Sequence, residues 1–194
     1  MDSYRTIKTL SEGIYSEKRS KFLAFAMPVR SVEEVKQAVA EYQKKYYDAR
    51  HVCYAYMLGA ERLDFRANDN GEPSGTAGKP ILGQINSNEL TDILIVVVRY
   101  YGGVNLGTSG LIVAYREAAA DAIAHSETLV RHVEELVNFD FPYVMMNDVM
   151  RIVKDMQPRI ISQSYDNECE IKFAIRQSKV AQLRSRLQKL SLNF

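Results

Sequence analysis

The apolar positions of residues 1–126 predict strands that alternate with helices. Short runs rich in aromatic and β-branched residues are typical of strands when turn residues flank them. The predicted strands are a short one over Tyr4, Thr6 and Ile7, and the segments Lys21–Val29, His51–Leu58 and Ile93–Tyr101. The last segment is apolar at every position from 93 to 98, which predicts a central strand that is buried on both faces.

Apolar residues spaced three and four positions apart predict the helices of this region. Ser31, with Glu34 three residues later, forms a capping-box pattern at the start of a helix that runs to about Tyr46. An Ala-rich helix is predicted over Leu111–Ala124, and a short helix over Pro80–Ile85. The glycine-rich stretches that precede these two helices, Ala67–Lys79 and Gly102–Gly110, are predicted to be loops.

The pattern after residue 126 predicts a second domain with the order βαββα. Its elements are a strand over Leu129–Phe139, a helix over Pro142–Met156, strands over Arg159–Tyr165 and Cys169–Arg176 that join at an Asp166–Asn167 turn, a helix over Ser178–Lys189, and a last short strand at Ser191–Phe194. This order is that of the ferredoxin-like fold. We therefore predict an α+β protein with two domains, residues 1–126 and 127–194.

Composition and charge narrow the class of protein. The chain has 194 residues, with 25 Lys and Arg against 24 Asp and Glu, so its formal net charge is +1. This balance argues against a polybasic DNA-coating protein, and we expect no DNA partner. No apolar run reaches the ~18 residues that a membrane helix needs, and residues 1–10 lack the apolar core of a secretory signal. We expect a cytoplasmic protein without a membrane partner; the oligomeric state stays open.

Metal and nucleophile chemistry have little support in the sequence. Cys53 and Cys169 lie far apart, so they form neither a disulfide framework nor a zinc site on their own. His51, His125 and His132 do not have metal-ligand spacing. His51 and Cys53 would share one face of a strand, but no oxyanion hole is evident, so both are interpreted as packing residues. We expect no metal and no cofactor.

The segment Asn68–Pro80 holds the first group of candidate binding residues. Its glycines allow left-handed backbone geometry, and its amides and hydroxyls could surround an anion. The candidates are Asp69, Glu72, Ser74, Thr76 and Lys79. Lys79 would neutralise a phosphate, whereas Asp69 with Glu72 would suit a cation or an acid/base pair. The alternative is a surface loop whose tight turns need these residue types.

The segment Arg99–Gly110 joins the buried strand to the Ala-rich helix and holds the second group. Amides at a helix start carry partial positive charge, which favours phosphate or carboxylate. The candidates are Arg99, Tyr101, Gly102, Gly103, Asn105, Gly107, Thr108, Ser109 and Gly110. The segment matches neither GxGxxG nor a Walker A loop, so the alternative is helix capping with tight packing. We expect the two glycine-rich segments to converge on one face.

Basic side chains near these segments suit contact with RNA. Arg50 and Arg66 are candidates because Arg beside Tyr can stack on unpaired bases and contact their phosphates. From Ile171 onward the chain has six basic residues and no acidic one, which adds a basic last helix. The alternatives are tyrosines that pack in the sheet and a helix face that is only solvated.

Three blocks resemble the Impact family, in its bacterial YigZ-like branch. They are Ala49–Tyr56 (ARHVCYAY), Asn68–Leu82 (NDNGEPSGTAGKPIL) and Val97–Tyr115 (VVRYYGGVNLGTSGLIVAY). The resemblance implies an N-terminal domain like the second domain of ribosomal protein S5 and a C-terminal domain like the last domain of elongation factor G. Ser109 and Val113 stand where the family tends to have Gly and Arg, and Asn105 where a basic residue is common.

The resemblance also implies a link to translation. Eukaryotic members restrain a stress-activated initiation-factor kinase through an extra N-terminal domain, a role that we do not transfer to this chain. We favour a translation-linked binding protein that contacts RNA, the ribosome or a translation factor. The alternatives are an enzyme that acts on a small phosphorylated or nucleotide substrate, and a protein-interaction regulator without nucleic-acid contact; an enzyme is the less favoured of these.

Overall fold

The structure, a computed structural model, describes residues 2–166 and 168–192 of the chain. Residues Tyr4–Arg131 form one unit, and the described residues from His132 onward form a second unit, which also takes in Asp2 and Ser3. The predicted boundary between residues 126 and 127 falls inside the first unit. Both units combine helices with antiparallel strands, so the predicted α+β class is confirmed.

A five-stranded antiparallel sheet forms the framework of the first unit. Up to residue 132 the elements are β1 (Ser3–Ile7), β2 (Ser11–Glu17), β3 (Ser20–Pro28), α1 (Val32–Lys45), β4 (His51–Leu58), β5 (Asp64–Asn68), α2 (Gly78–Ser87), β6 (Ile93–Tyr100), α3 (Gly107–Ala124) and β7 (Thr128–His132). The sheet has the strand order β2-β3-β6-β4-β5, and β1 pairs separately with β7. β6 is therefore the central strand, as its apolar run predicts.

Helices cover both faces of this sheet because β6 is apolar on both sides. The odd-numbered residues from Ile93 to Val97 pack into a core with α2 and α3. The even-numbered residues from Leu94 to Val98 pack into a second core with α1. Since side chains alternate along a strand, Arg99 follows in the odd series and belongs to the side of α3.

The second unit has the predicted ferredoxin-like order. Its elements are β8 (Glu134–Pro142), α4 (Met146–Met156), β9 (Arg159–Tyr165), β10 (Glu168–Arg176) and α5 (Val180–Ser191). The strands pair antiparallel in the order β8-β10-β9. Apolar residues of both helices and of the sheet form one core, among them Val137, Val149, Ile152, Phe173, Leu183 and Leu187. None of the helices within the described ranges is long and apolar enough to span a bilayer.

The predicted cap of α1 is confirmed. Ser31 Oγ accepts a hydrogen bond from the Glu34 N–H at 3.2 Å, and the Glu34 carboxylate accepts one from the Arg30 N–H at 2.8 Å. These bonds satisfy donors that the first turn of a helix cannot pair internally. The helix ends at Lys45, beside its predicted end at Tyr46.

Three predictions for the first unit are wrong in position or omit an element. The helix predicted from Leu111 begins one turn earlier, at Gly107, because a helix start tolerates glycine better than a helix interior. The segment Ala67–Lys79 is shorter as a loop, since β5 runs to Asn68 and α2 starts at Gly78. The strands β2 and β5 were not predicted because each is a half-exposed or exposed edge strand with many polar residues.

Two predictions for the second unit also differ from the structure. The strand predicted over Leu129–Phe139 is broken at Val133, whose N–H donates to the Asp2 carbonyl at 2.9 Å. Ser191, predicted in a last strand, is the final residue of α5, while Asn193 and Phe194 lie outside the described residues. Asn167 of the predicted turn also lies outside them.

Candidate functional site

A cleft of about 440 Å³ lies in the first unit between two loops. The 69–77 loop joins β5 to α2, and the 101–106 loop joins β6 to α3. The cleft is lined by Arg50, His51, Gly71, Glu72, Pro73, Arg99, Tyr101, Asn105, Leu106, Gly107, Thr108 and Leu111. Both glycine-rich segments therefore border one cavity, as expected for two segments that each adjoin a strand or helix end of the same sheet.

A buried ion pair joins the two sides of the cleft. Arg99 Nη1 lies 2.6 Å from Glu72 Oε1, and the two side chains are only 8% and 3% exposed. A pair so close and so poorly solvated stabilises only when both partners are present, because either charge alone would be buried without compensation. The Nε of Arg99 is also buried and has no hydrogen-bond partner among the described residues.

Tyr115 and Cys53 lie beneath this ion pair. The Tyr115 hydroxyl donates to Glu72 Oε1 at 2.7 Å, and the Cys53 thiol lies 3.4 Å from the Tyr115 oxygen and 3.0 Å from the Asp69 carbonyl. Burial raises the pKa of Cys53 to about 12. Burial, followed by the neighbouring Cys53 and Glu72, raises the pKa of Tyr115. Both groups therefore stay protonated at neutral pH, and Cys53 is not an activated nucleophile.

His51 lines the cleft, whereas the sequence interpretation treats it as a packing residue. Its Nδ1 lies 2.7 Å from the Asn70 carbonyl oxygen, and its side chain is 13% exposed. A carbonyl oxygen only accepts, so Nδ1 carries a hydrogen. The other ring nitrogen, Nε2, is 3.8 Å from Glu72 Oε2, which is too long for a hydrogen bond. Cys53, by contrast, is fully buried, in agreement with a packing role.

The 69–77 loop does not offer an anion nest, which corrects one expectation from the sequence. The Asp69 carboxylate accepts hydrogen bonds from the backbone N–H groups of Gly75, Ala77 and Gly78 at 2.8 to 3.1 Å. The N–H groups of Glu72 and Thr76 donate to carbonyls within the same loop. Most amides that could hold an anion are therefore used to shape the loop itself.

The start of α3 is open in a way that the 69–77 loop is not. Leu106 occupies the N-cap position, and its side chain provides no capping hydrogen bond. Across the described chain, no residue outside the helix accepts a hydrogen bond from the N–H of Thr108, Ser109 or Gly110. Gly107 has a φ of +71°, a left-handed conformation that L side chains rarely adopt. These amides carry the positive end of an 18-residue helix dipole.

The charges of the cleft favour an anion. Arg99 and Glu72 neutralise each other, which leaves Arg50 as a positive charge on the lining. The Arg50 guanidinium carbon lies 5.1 Å from the centre of the Tyr101 ring, and that of Arg99 lies 5.6 Å from it. Such cation–π contacts keep both guanidinium groups near the Tyr101 ring. Arg50, Tyr101 and the start of α3 together form a positively charged rim.

The other predicted site residues lie outside the cleft lining. Arg66, Ser74, Lys79 and Gly103 are exposed elsewhere, and Thr76 is buried with its hydroxyl bonded to the Pro73 carbonyl. Gly102 is needed for close packing, since a Cβ there would lie 2.2 Å from the Arg19 backbone carbon. Ser109 and Gly110 line a different cavity of about 240 Å³. The structure therefore assembles Arg50, Glu72, Arg99, Tyr101, Asn105, Gly107 and Thr108 from the candidate list at one cleft.

The basic last helix is less positive than its sequence predicts. Arg184 pairs with Glu135 at 3.0 Å, and Arg186 pairs with Asp155 at 2.9 Å, both within the second unit. Arg176, just before this helix, pairs with Asp2. Much of the local positive charge is therefore matched by acidic residues that lie far away in sequence.

Sequence reasoning missed the parts of the site that depend on distant contacts. Tyr115 lies 43 positions after Glu72, and no local sequence feature marks the two as partners. His51 pairs in register with Arg99 across β4 and β6, which follows only once the strands are known to be neighbours. No group of three or more His, Cys, Asp or Glu in the described residues has the arrangement of a metal site. Asp69, with three amide donors on its carboxylate, is not available to a cation.

Comparisons with known proteins agree on one family. Residues 18–123 match the model of the Impact N-terminal domain. An IMPACT family member of Haemophilus influenzae is 31% identical over 176 residues, which cover 90% of this chain and 85% of the relative. The Escherichia coli family member YigZ is 32% identical over 178 residues, with 90% and 86% coverage. A crystal structure described only as a hypothetical protein has a TM-score of 0.77 at 30% identity and covers 98% of this chain and 94% of its own. The chain belongs to the IMPACT family.

Proposed function

We propose that this chain is a translation-linked regulatory protein that contacts RNA phosphate groups through the cleft. The observation that carries the proposal is the open start of α3 beside Arg50, at the edge of a cleft that both glycine-rich segments border. Backbone N–H groups at a helix start, together with an Arg, form the usual cradle for a phosphate. The link to translation rests on membership of the IMPACT family and on the implications of the resemblance described above.

The ion pair of the cleft supports this role indirectly. Arg99 is paired with Glu72 and lies near the Tyr101 ring. Its side chain is therefore fixed in the cleft lining and is not a mobile binding group. Arg50 is exposed and free to approach a phosphate while its guanidinium stays near the Tyr101 ring. An exposed base could also stack on Tyr101, a residue that is 39% exposed.

A binding titration tests the proposal. Fluorescence anisotropy with a short single-stranded RNA that carries a 5′-phosphate is measured at several salt concentrations. We expect affinity to fall as salt rises, because phosphate contacts release counterions. The variant Arg50→Glu should bind at least about tenfold more weakly, since it replaces an attractive charge by a repulsive one.

The matched controls are Arg66→Glu and Lys79→Glu, which make the same change in charge at exposed positions outside the cleft lining. They should bind RNA nearly as well as the unchanged protein. Arg99→Glu is unsuitable, because a second carboxylate beside buried Glu72 would disrupt the fold. Absence of RNA binding, or equal losses in all three Glu variants, would contradict a phosphate site in the cleft.

Sedimentation with ribosomes tests the link to translation. We expect the protein to co-sediment with ribosomal particles at low salt, and the Arg50→Glu variant to remain near the top of the gradient. Nuclease treatment should release the protein if RNA is the contact. Co-sedimentation that resists nuclease and ignores Arg50→Glu would instead favour a protein partner.

A further inference from the structure

We propose that the cleft selects a phosphate monoester over a phosphate diester, and that His51 Nε2 recognises the second negative charge of the monoester. The ligand class is therefore a terminal phosphate, whether it ends an RNA chain or belongs to a mononucleotide. The inference rests on the proposed function, because it assumes that the cleft holds a phosphate at all. It goes further by naming which phosphate fits and which side chain selects it.

The 69–77 loop fixes the orientation of the His51 ring. The Asn70 carbonyl oxygen accepts a hydrogen bond from Nδ1–H, with 2.7 Å between the two heavy atoms, so Nε2 is the ring nitrogen that remains available to a ligand. Gly71 packs beside this ring, since a Cβ at that position would lie 3.4 Å from it. The ring is thus fixed by the 69–77 loop, with Nε2 on the side of Glu72 in the lining of the cleft.

The charged residues of the cleft determine which phosphate matches it. The charged residues of the same cleft lining are Glu72 from the 69–77 loop, Arg99 from the neighbouring strand β6, and Arg50, which directly precedes His51 in sequence. Tyr101 and the start of α3 complete the lining. With neutral His51 the formal charges of the cleft sum to +1. A diester carries one negative charge and matches this sum. A monoester carries about −1.5 to −2 at neutral pH, and a proton on His51 would supply the missing positive charge.

The two carboxylate oxygens of Glu72 differ in their hydrogen-bond partners. Glu72 Oε1 already accepts bonds from Arg99 and Tyr115, whereas Oε2 faces His51 without a hydrogen bond. A protonated Nε2 therefore has Glu72 to stabilise its charge and a free direction in which to donate. A ligand oxygen near the start of α3 would accept that bond as well as those of the amides.

The volume of the cleft limits the size of the ligand. A volume of about 440 Å³ is that of a small-molecule site rather than of a groove along a nucleic-acid backbone. Leu106 and Leu111 contribute apolar surface to the lining, next to Thr108. Such a cleft suits one terminal nucleotide more than a continuous strand that must enter and leave.

The experiment compares three RNA probes of one sequence that differ only in their ends. One carries a 5′-phosphate, the second carries a 3′-phosphate and the third carries hydroxyls at both ends. Competition with adenosine monophosphate, with its cyclic 3′,5′ diester and with adenosine separates a free nucleotide from an RNA end. We expect a phosphorylated probe to bind about tenfold more tightly than the hydroxyl probe, because a hydrogen bond between charged groups is gained. The acyclic nucleotide should compete better than the cyclic one.

Two substitutions of His51 distinguish the roles of its two ring nitrogens. In His51→Asn the side-chain amide can still donate to the Asn70 carbonyl, as Nδ1 does, but nothing replaces Nε2. In His51→Gln the amide reaches the position of Nε2 and can donate one uncharged bond. We expect His51→Asn to lose the preference for the monoester and His51→Gln to keep part of it, with the preference measured in each variant as the ratio of its affinities for the phosphorylated and the hydroxyl probe.

Calorimetry in two buffers of different ionisation enthalpy gives a second readout, near pH 8, where the free monoester is almost fully dianionic (its second pKa is about 6). Binding of the monoester should take up protons in the unchanged protein and take up fewer in His51→Asn. Equal affinity for all three probes, or a monoester preference that survives His51→Asn, would overturn the inference while leaving RNA binding intact. If no probe binds, the proposed function itself fails.

Discussion

The two glycine-containing loops of the first unit look alike in sequence and differ in what their amides do. In the 69–77 loop, the Asp69 carboxylate and nearby carbonyls accept most of the N–H groups. In the 101–106 loop and the first turn of α3, the N–H groups that follow Gly102 lack such partners within the described chain. One loop is closed by its own side chain, and the other segment keeps amides without partners in the described part of the chain, of which those of Asn105, Leu106, Gly107 and Thr108 belong to residues of the cleft lining.

Glycine content therefore predicts backbone geometry but not the availability of amides. Gly71, Gly75, Gly103 and Gly107 all have positive φ angles, so all four positions use the same freedom. A single carboxylate, that of Asp69, decides which of the two loops uses its amides internally. The closed loop positions His51 and Glu72 in the cleft lining, and the open loop keeps amides without partners among the described residues.

The largest effect is expected when the closed loop loses its central acceptor. Asp69→Ala removes three hydrogen bonds to a charged group and leaves their donors unsatisfied, so we expect a loss of about 3–5 kcal/mol in the free energy of unfolding. Urea denaturation measures it. Glu61→Ala, at an exposed position without a hydrogen-bond role in the described chain, is the control. A loss below about 1 kcal/mol would mean that Asp69 does not organise the loop.

Cys53 reports whether the closed loop stays closed. Its thiol contacts the Asp69 carbonyl, and burial raises its pKa from the ordinary 9.0 to about 12. At pH 9 the thiolate fraction should fall from about one half in the unfolded chain to about a thousandth in the folded one. We expect alkylation by iodoacetamide to be slower than that of the unfolded chain by a similar factor. Rapid alkylation of the folded protein at Cys53 would show that this loop opens often.

The same pKa shift gives a pH dependence of stability. Because the folded protein holds the proton of Cys53 more tightly, the contribution of this group is complete below about pH 9. It is lost as pH rises towards about 12. Urea midpoints measured across that range should fall less steeply in Cys53→Ala. Parallel curves for the two proteins would contradict the assignment.

The open loop is expected to affect binding more than stability. Gly107→Ala places a Cβ at φ +71°, which costs about 1–2 kcal/mol and shifts the first amides of α3. We expect affinity for 5′-phosphorylated RNA to fall several-fold. Gly83→Ala is the matched control, because Gly83 lies in α2 with no neighbour within 4 Å of an added Cβ and no positive φ. It should bind normally and be as stable or slightly more stable. Equal binding by both variants would argue against the helix start as a phosphate contact.

The smallest effect concerns the Tyr115 hydroxyl, which contacts Glu72 of the 69–77 loop. Tyr115→Phe removes the bond to Glu72 and the contact with Cys53 without a change of shape, and we expect a loss of about 1 kcal/mol. A double-mutant cycle with Cys53→Ala measures their coupling. Additive losses would show that the two groups act separately.

Sequence patterns were sufficient for the elements whose stability is local or fully apolar. The apolar run of β6 identified the central strand, and the Ser31–Glu34 pattern identified the start of α1. The edge strands β2 and β5 were not predicted, because half-exposed strands carry polar residues without a regular apolar alternation. Their place depends on the neighbours to which they pair, which local sequence does not specify.

The candidate site was located in outline but not in its chemistry. Arg99 and Glu72 were both named, yet their pairing across 27 positions of sequence requires the folded sheet. The role of His51 depends on the Asn70 carbonyl, a backbone atom that no residue pattern indicates. Asp69 was named as a binding residue because its type fits that role, and only the path of the loop turns it into an internal acceptor.

The alternation of side chains along β6 sets a strict rule for how this gene product can vary in length. Insertion or deletion of a single residue within the strand would exchange the two cores and direct the guanidinium of position 99 towards α1, away from Glu72. Changes of two residues would preserve the facing of the strand but would move the start of α3 along the sheet. Natural length variants of this domain should therefore be confined to the connections outside β6.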